Sequence, residues 1–228
     1  MKILHITDTH GFHEQIVLQE ADILCITGDE SNSKSQFTNH AEFLDFFSWL
    51  EKVRPLFKHI IMIPGNHSSW IFHNEKEAKL QLEEINIHLL IREEILLDGI
   101  KFYGEPIVPT FGDWVYMTKR GNMYRYWEMI PEDVDVLLTH TPPKGILDLS
   151  EDRNRNLEMC GCGALNKKIN NLKRLKIHLF GHIHNYKDII NTGILIRDGV
   201  IYSNATAVTD REFAKGITFH GNIIELQR

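Results

Sequence analysis

Several things are scarce in this chain, and each shortage removes a class of protein. Only three of its 228 residues are cysteine, and Cys25 lies inside an apolar run, so a disulfide framework is excluded. That usage suits a reducing, cytoplasmic compartment. No apolar run approaches the roughly 20 residues that cross a bilayer. The N-terminus enters a strand pattern within two residues, without the layout of a signal peptide. Neither a transmembrane segment nor a membrane partner is expected. Positive charge is also short: 25 Lys and Arg face 31 Asp and Glu, a net charge of -6. That balance disfavours a nucleic-acid partner, and the run Lys167, Lys168, Lys173, Arg174 and Lys176 reads as one solvated helix face. Repeats, low-complexity tracts and linkers are missing, so residues 1–228 are expected to form a single domain. What is plentiful is apolar residues, at 43%, and histidine, at 13.

Residues 2–7, 22–27 and 58–63 read as buried strands. Between them Phe37, Ala41, Phe43, Leu44, Phe47 and Leu50 recur at roughly helical spacing, which predicts a helix over 36–53 stopped by Pro55. Asn74 to Asn86 predicts an exposed helix with Asn74 as its cap and Glu77 three residues on. The order β-α-β-α implies parallel strands. Later, Asp98-Gly99 and Asp198-Gly199 mark hairpins, and His220-Gly221 is expected to join strand 216–219 to strand 222–226. Strands are expected at 135–139 and 176–180, and a helix near 165–172. The stretch 106–131 is irregular and aromatic. The fold class is α/β. Two mixed sheets packed face to face with helices outside, a four-layer α/β/β/α sandwich, accommodate this many strands; one long sheet is the alternative.

Five polar motifs fall where apolar runs end: Asp8-Thr9-His10, Gly28-Asp29, Gly65-Asn66-His67, Thr139-His140 and Gly181-His182-Ile183-His184. Ligands of open α/β sheets gather beyond the carboxyl ends of the strands, so these loops are expected to converge. In extended backbone, residues two apart point the same way, so Asp8 and His10 can grip one ion, as can His182 and His184. Asp29 offers two oxygens, Asn66 an amide oxygen and His140 an imidazole. That is too many donors for one tetrahedral structural zinc. It fits two divalent cations such as Mn²⁺, Fe or Zn²⁺. Two such ions, about 3.5–4 Å apart, activate water and neutralise phosphate oxygens. If Asn66 points at the metal, His67 faces the substrate and can protonate a leaving oxygen.

In this order, the five motifs resemble the signature of the calcineurin-like metallophosphoesterases. The resemblance implies a β-sandwich flanked by helices and a dinuclear centre. One ion would take Asp8, His10, Asp29 and His184, the other Asp29, Asn66, His140 and His182. Asp29 would bridge, and His67 would be the catalytic acid. A narrower likeness, in Thr139-His140-Thr141-Pro142-Pro143 and on to Asp148, is to the metallophosphoesterase-domain-containing branch, which includes cyclic-nucleotide phosphodiesterases. The implied activity is hydrolysis of a small phosphate ester, a phosphodiester such as a cyclic nucleotide, by metal-bound hydroxide. A nuclease and a scaffold protein that keeps the metal site are the alternatives. Two positions depart from the family. Ser68 stands where an acid commonly follows Asn-His, and Asn32 is a candidate to support the site from three residues beyond Asp29.

Single residues outside the motifs are read conservatively. His5 and His178 lie inside strands and are expected to pack or support. His13 is a candidate substrate contact, Cys160-Gly161-Cys162 is expected to be structural, and the aromatics of 111–127, with Arg120 and Arg125, could meet a base or phosphate.

Overall fold

A computed structural model describes residues 1–152, 154–209 and 216–226. The first half runs β1 (Lys2–Ile6), β2 (Ile23–Ile26), α1 (Gln36–Val53), β3 (His59–Met62), α2 (Ser69–His73), α3 (Glu75–Glu84) and β4 (Ile87–Leu89). The second runs β5 (Glu93–Leu97), β6 (Ile100–Glu105), β7 (Val108–Pro109), β8 (Met117–Thr118), α4 (Tyr124–Trp127), β9 (Val136–Thr139), β10 (Leu149–Glu151), β11 (Leu157–Met159), α5 (Gly163–Ile169), β12 (Ile177–Phe180), β13 (Gly193–Arg197), β14 (Val200–Asn204) and β15 (Asn222–Glu225).

Two large mixed sheets result, with strand orders β15-β1-β2-β3-β4 and β13-β14-β12-β9-β6-β5. Strands β1 to β4 are mutually parallel, as are β6, β9, β12 and β14. Strand alternation sorts the core into three layers. Ile3, Ile23, Cys25 and Ile61 of the first sheet meet Phe102, Val136, Leu138, Ile177 and Leu179 of the second. The opposite faces, Leu4, Ile6, Leu24, Ile26 and Ile60 on one side and Leu137 and Phe180 on the other, are covered by helices. The chain is therefore the α/β/β/α sandwich, not one long sheet.

Helix α1 spans the expected residues but buries a different stripe. Asn39, Phe43, Phe46, Trp49, Leu50 and Val53 face the sheet, whereas Phe37 and Leu44 are exposed. The stripe 39-43-46-50-53 follows the 3.6-residue period more closely than the one counted from Phe37. Each large side chain buried there is worth roughly 1.5–3 kcal/mol. Asn74 precedes α3 as expected, but its side chain donates to Trp70 O at 2.9 Å and caps nothing, because the short helix α2 runs directly into it.

The last expected hairpin does not form. Asn222–Glu225 pairs antiparallel with β1, from Lys2↔Glu225 to His5↔Asn222. Thr218 N and Phe219 N instead donate to Ala207 O. The open edge of β1 offers a longer ladder than the tight turn at His220-Gly221 could. No helix among the described residues is long and apolar enough to cross a membrane.

Candidate metal centre

All five motifs lie in loops that leave the carboxyl ends of parallel strands, three from the first sheet and two from the second. The loops are laced together by main-chain bonds: Asp8 N to Gly28 O at 3.0 Å, His10 N to Asp29 O at 2.9 Å, and Gly181 N to His140 O at 3.0 Å. The packing leaves no room for side chains on the intervening glycines. A Cβ on Gly181 would strike the Asp8 carboxylate, and one on Gly65 would strike that of Asp29.

Asp8, His10 and His184 offer donor atoms within 4.8 Å of one another; so do Asp29, His140 and His182, and so do His10, Asp29 and His67. Asp29 thus belongs to more than one group. Asn66 joins the cluster through Oδ1, 3.1 Å from His140 Nε2. The basis for grouping Asp8 with His10 needs correction. Both have left-handed backbone, with φ of 53° and 45°, so they converge through a coiled loop and not an extended one. His182 also has positive φ, 69°, and it diverges from His184 into a different group. The i, i+2 pairing expected of those two histidines is not seen.

Two of the imidazoles, His140 and His10, are oriented from behind. His140 Nδ1 donates to Thr27 O at 2.8 Å, and His10 Nδ1 to Ser31 O at 3.2 Å. Both therefore turn Nε2 inward, to 3.2 Å and 3.9 Å from Asp29 Oδ2. A carbonyl behind the ring is the arrangement that fixes the tautomer of a metal-ligating histidine. Asp8 receives bonds from Thr7 Oγ1 at 2.9 Å and His182 N at 3.0 Å.

The cluster is buried, and its charges are strongly coupled. Burial alone would raise the Asp8 carboxyl, but the His184 hydrogen bond and the nearby imidazoles outweigh it and bring it to about 2. Asp29 is likewise opposed by burial, yet His140 and His67 hold it well below the usual range. Burial pushes His10 and His182 down to about 3. His140 is also opposed by burial, but Asp29 and Asp8 carry it up to about 9. The result is two ionised carboxylates beside neutral His10 and His182 and a protonated His140.

His67 takes a different position. Only half-buried, it donates N to Asp29 Oδ1 at 2.7 Å and Nδ1 to the main-chain oxygen of Asn32 at 3.1 Å. Asn32 does support the site, through its backbone and not its amide. A cavity of about 450 Å³ opens here, lined by Asp29, Asn66, His67, His182 and His184 on one side and by Phe111, Arg120 and Cys160 on the other.

Sequence reasoning misses some of these residues and misplaces one. Arg120, a candidate by sequence, lines the cavity, clamped by Cys160 O at 2.7 Å and Gly161 O at 3.0 Å. Cys160 also lies at the cavity wall. His13 is fully buried against Phe46 and Trp49, 3.2 Å from Asp45, so it is no substrate contact. His5 is a core residue as expected, bonded to Ser203 and Thr27. Glu30 gives no signal beyond its place after Asp29. It is fully buried, bonded to Ser68 Oγ at 2.7 Å, and burial pushes it up to about 7.

The ordered motifs and this geometry describe a metallophosphoesterase centre. The pattern of the calcineurin-like phosphoesterases matches residues 1–186, and the chain belongs to that family. A UPF0046 protein of Caenorhabditis elegans is 27% identical over 206 residues, covering 85% of this chain and 67% of its own. Metallophosphoesterase domain-containing protein 1 of Homo sapiens is 27% identical over 226 residues, covering 90% of this chain and 65% of its own. The chain thus spans about two thirds of the length of these relatives. A solved structure titled as a novel archaeal phosphodiesterase aligns over 90% of this chain and 82% of its own at 15% identity, with a TM-score of 0.44, a distant likeness.

Proposed function

We propose that the chain is a metal-dependent hydrolase of a small phosphate ester, a phosphodiester such as a cyclic nucleotide, acting as one domain. The observation that carries this reading is the pair of imidazoles, His10 and His140, each backed by a carbonyl and turned towards Asp29. Inward imidazole nitrogens, ionised carboxylates and glycines that admit no side chain fit divalent cations, with the His140 proton given up on binding. Asp8, His10, Asp29 and His184 would hold one ion, and Asp29, Asn66, His140 and His182 a second. Bound there, Mn²⁺, Fe or Zn²⁺ would supply a water of lowered pKa and neutralise phosphate oxygens.

The chain's own residues do the rest. Because His67 Nδ1 is spent on Asn32 O, Nε2 is the nitrogen left for the ester, where it delivers a proton to the leaving oxygen. Arg120, fixed by two carbonyls, offers the remaining donors of its guanidinium to an anionic oxygen. Phe111, edge-on to His182 at 5.1 Å, forms the apolar wall.

The test is hydrolysis of bis-p-nitrophenyl phosphate, cyclic nucleotides, dinucleotides and nucleoside monophosphates by the Mn²⁺-loaded chain. Turnover of a small diester that Asp29→Asn abolishes supports the reading. Two bound ions with no turnover of any ester would assign the site to binding alone, and cleavage confined to long nucleic acid would make it a nuclease.

A further inference from the structure

No acid follows His67 in the chain, and the nearby Asp29 carboxylate accepts from its main-chain N. Ser68 fills the next position, and its hydroxyl is used elsewhere, accepting from Gly65 N at 2.9 Å and donating to Glu30 Oε2 at 2.7 Å. Three other segments hold His67 instead. Its Nδ1 donates to Asn32 O, and its carbonyl accepts from Asn39 Nδ2 at 2.7 Å, at the head of the buried stripe of α1. The third segment is the loop between β7 and β8. There the indole of Trp114 stacks on the His67 ring, with centroids 3.7 Å apart and planes 30° from parallel.

Trp114 is itself held. Lys34 Nζ lies 4.3 Å from the centre of its ring, and Val115 N donates to Asn66 O at 3.3 Å. The loop is thereby pinned to the turn that carries His67. Across from the indole, His10 meets the His67 ring edge-on at 4.7 Å. One hydrogen bond to Nδ1 leaves a half-buried imidazole free to swing about its side-chain torsions. A flat ring on its face removes that freedom, and alignment of a proton donor is what rate depends on.

We propose that Trp114 is a positioning residue, holding His67 in the rotamer that faces the cavity and doing by stacking what a carboxylate at position 68 would do by hydrogen bonding. His67 is among the residues lining the cavity and Trp114 is not, so the indole acts through the imidazole. The catalytic half of this inference rests on the phosphoesterase reading; the packing half does not.

Two measurements on the full chain separate them. In NMR spectra, the His67 ring-proton signals, assigned with His67→Gln, are expected upfield of the other histidines through the indole ring current. They are expected to return downfield in Trp114→Ala and in Trp114→Leu, which keeps bulk without a ring. With Mn²⁺ and bis-p-nitrophenyl phosphate, Trp114→Ala is expected to lower kcat about tenfold or more, with KM and bound ions within about twofold. Trp114→Phe restores most of the rate. An unshifted His67 signal in the unaltered protein overturns the proposal, as does wild-type kcat in Trp114→Ala or an equal loss in Trp114→Ala and Trp114→Phe. A shifted signal that Trp114→Leu abolishes, in a protein that turns over no ester, would retain the packing and reject the phosphoesterase reading.

Discussion

His140 Nε2 lies 3.2 Å from Asp29 Oδ2, although the two residues come from different sheets of the sandwich. The contact is the seam of the centre. It is also where a proton and a divalent ion would compete for the same atoms.

That competition sets a pH dependence. Burial opposes a charge on His140, but Asp29 and Asp8 lift it from 6.5 to about 9. In chelator-treated protein its contribution to stability is therefore complete below pH 6.5 and lost as pH rises through about 9. An entering ion must displace that proton, so apparent affinity is expected to rise between about pH 7 and pH 9 and to level above it. Calorimetry in two buffers of different ionisation enthalpy measures the released proton; no release at about pH 7 would contradict the assignment.

Removing the proton donor is a different perturbation. His67→Gln is expected to keep both ions and to lower kcat by about 10²–10⁴. Metal analysis and steady-state kinetics on the same preparation check this. A variant that loses an ion would show His67 to be a ligand, consistent with its nearness to His10 and Asp29.

Glu105 ends β6 in full burial, with Oε1 accepting from Ile107 N at 3.1 Å and Oε2 unpartnered among the described residues. Burial, with Glu75 adding to it against Arg92, pushes its carboxyl up to about 7. The folded state therefore holds the proton more tightly than the unfolded chain, and stability falls as pH rises from 4.5 to about 7. Glu105→Gln is expected to be more stable than the parent by roughly 1–3 kcal/mol at about pH 8 and nearly equal at about pH 4.5. Urea midpoints at the two pH values decide it. A gain of the same size at both would rule out the titration.

Much of the fold and the centre is legible in the chain. Apolar runs ending in Asp8, Asp29, Asn66, His140 and His182 mark both the strands and the edge where they meet. The lost signals have physical causes. His220-Gly221 has turn chemistry, but the open edge of β1 recruits Asn222–Glu225 over a longer distance than any local pattern reports. The α1 stripe is misplaced because Phe37 and Leu44 are apolar yet exposed, so hydrophobicity alone misleads the count. Trp114 and Asn39 carry no motif; their value lies in what they touch. Glu30 and Ser68 are legible only as a pair, since each satisfies the other.

The glycine at position 181 tests how tightly the loops are packed. Gly181→Ala would drive a Cβ into Asp8 and the buried Thr7. Loss of the ion that Asp8 would hold, or destabilisation of about 2 kcal/mol or more, is expected. Thermal melts and metal analysis read the two effects, and unchanged values in both would show the loop to be more pliant than its contacts indicate.

The most direct measurement is the number of divalent ions the intact chain binds, by elemental analysis after equilibration with Mn²⁺, for the parent and for Asp29→Ala. Two ions in the parent and at most one in the variant are expected, since Asp29 would contact both. A parent that binds one ion or none, or a variant that still binds two, would contradict the shared-carboxylate centre.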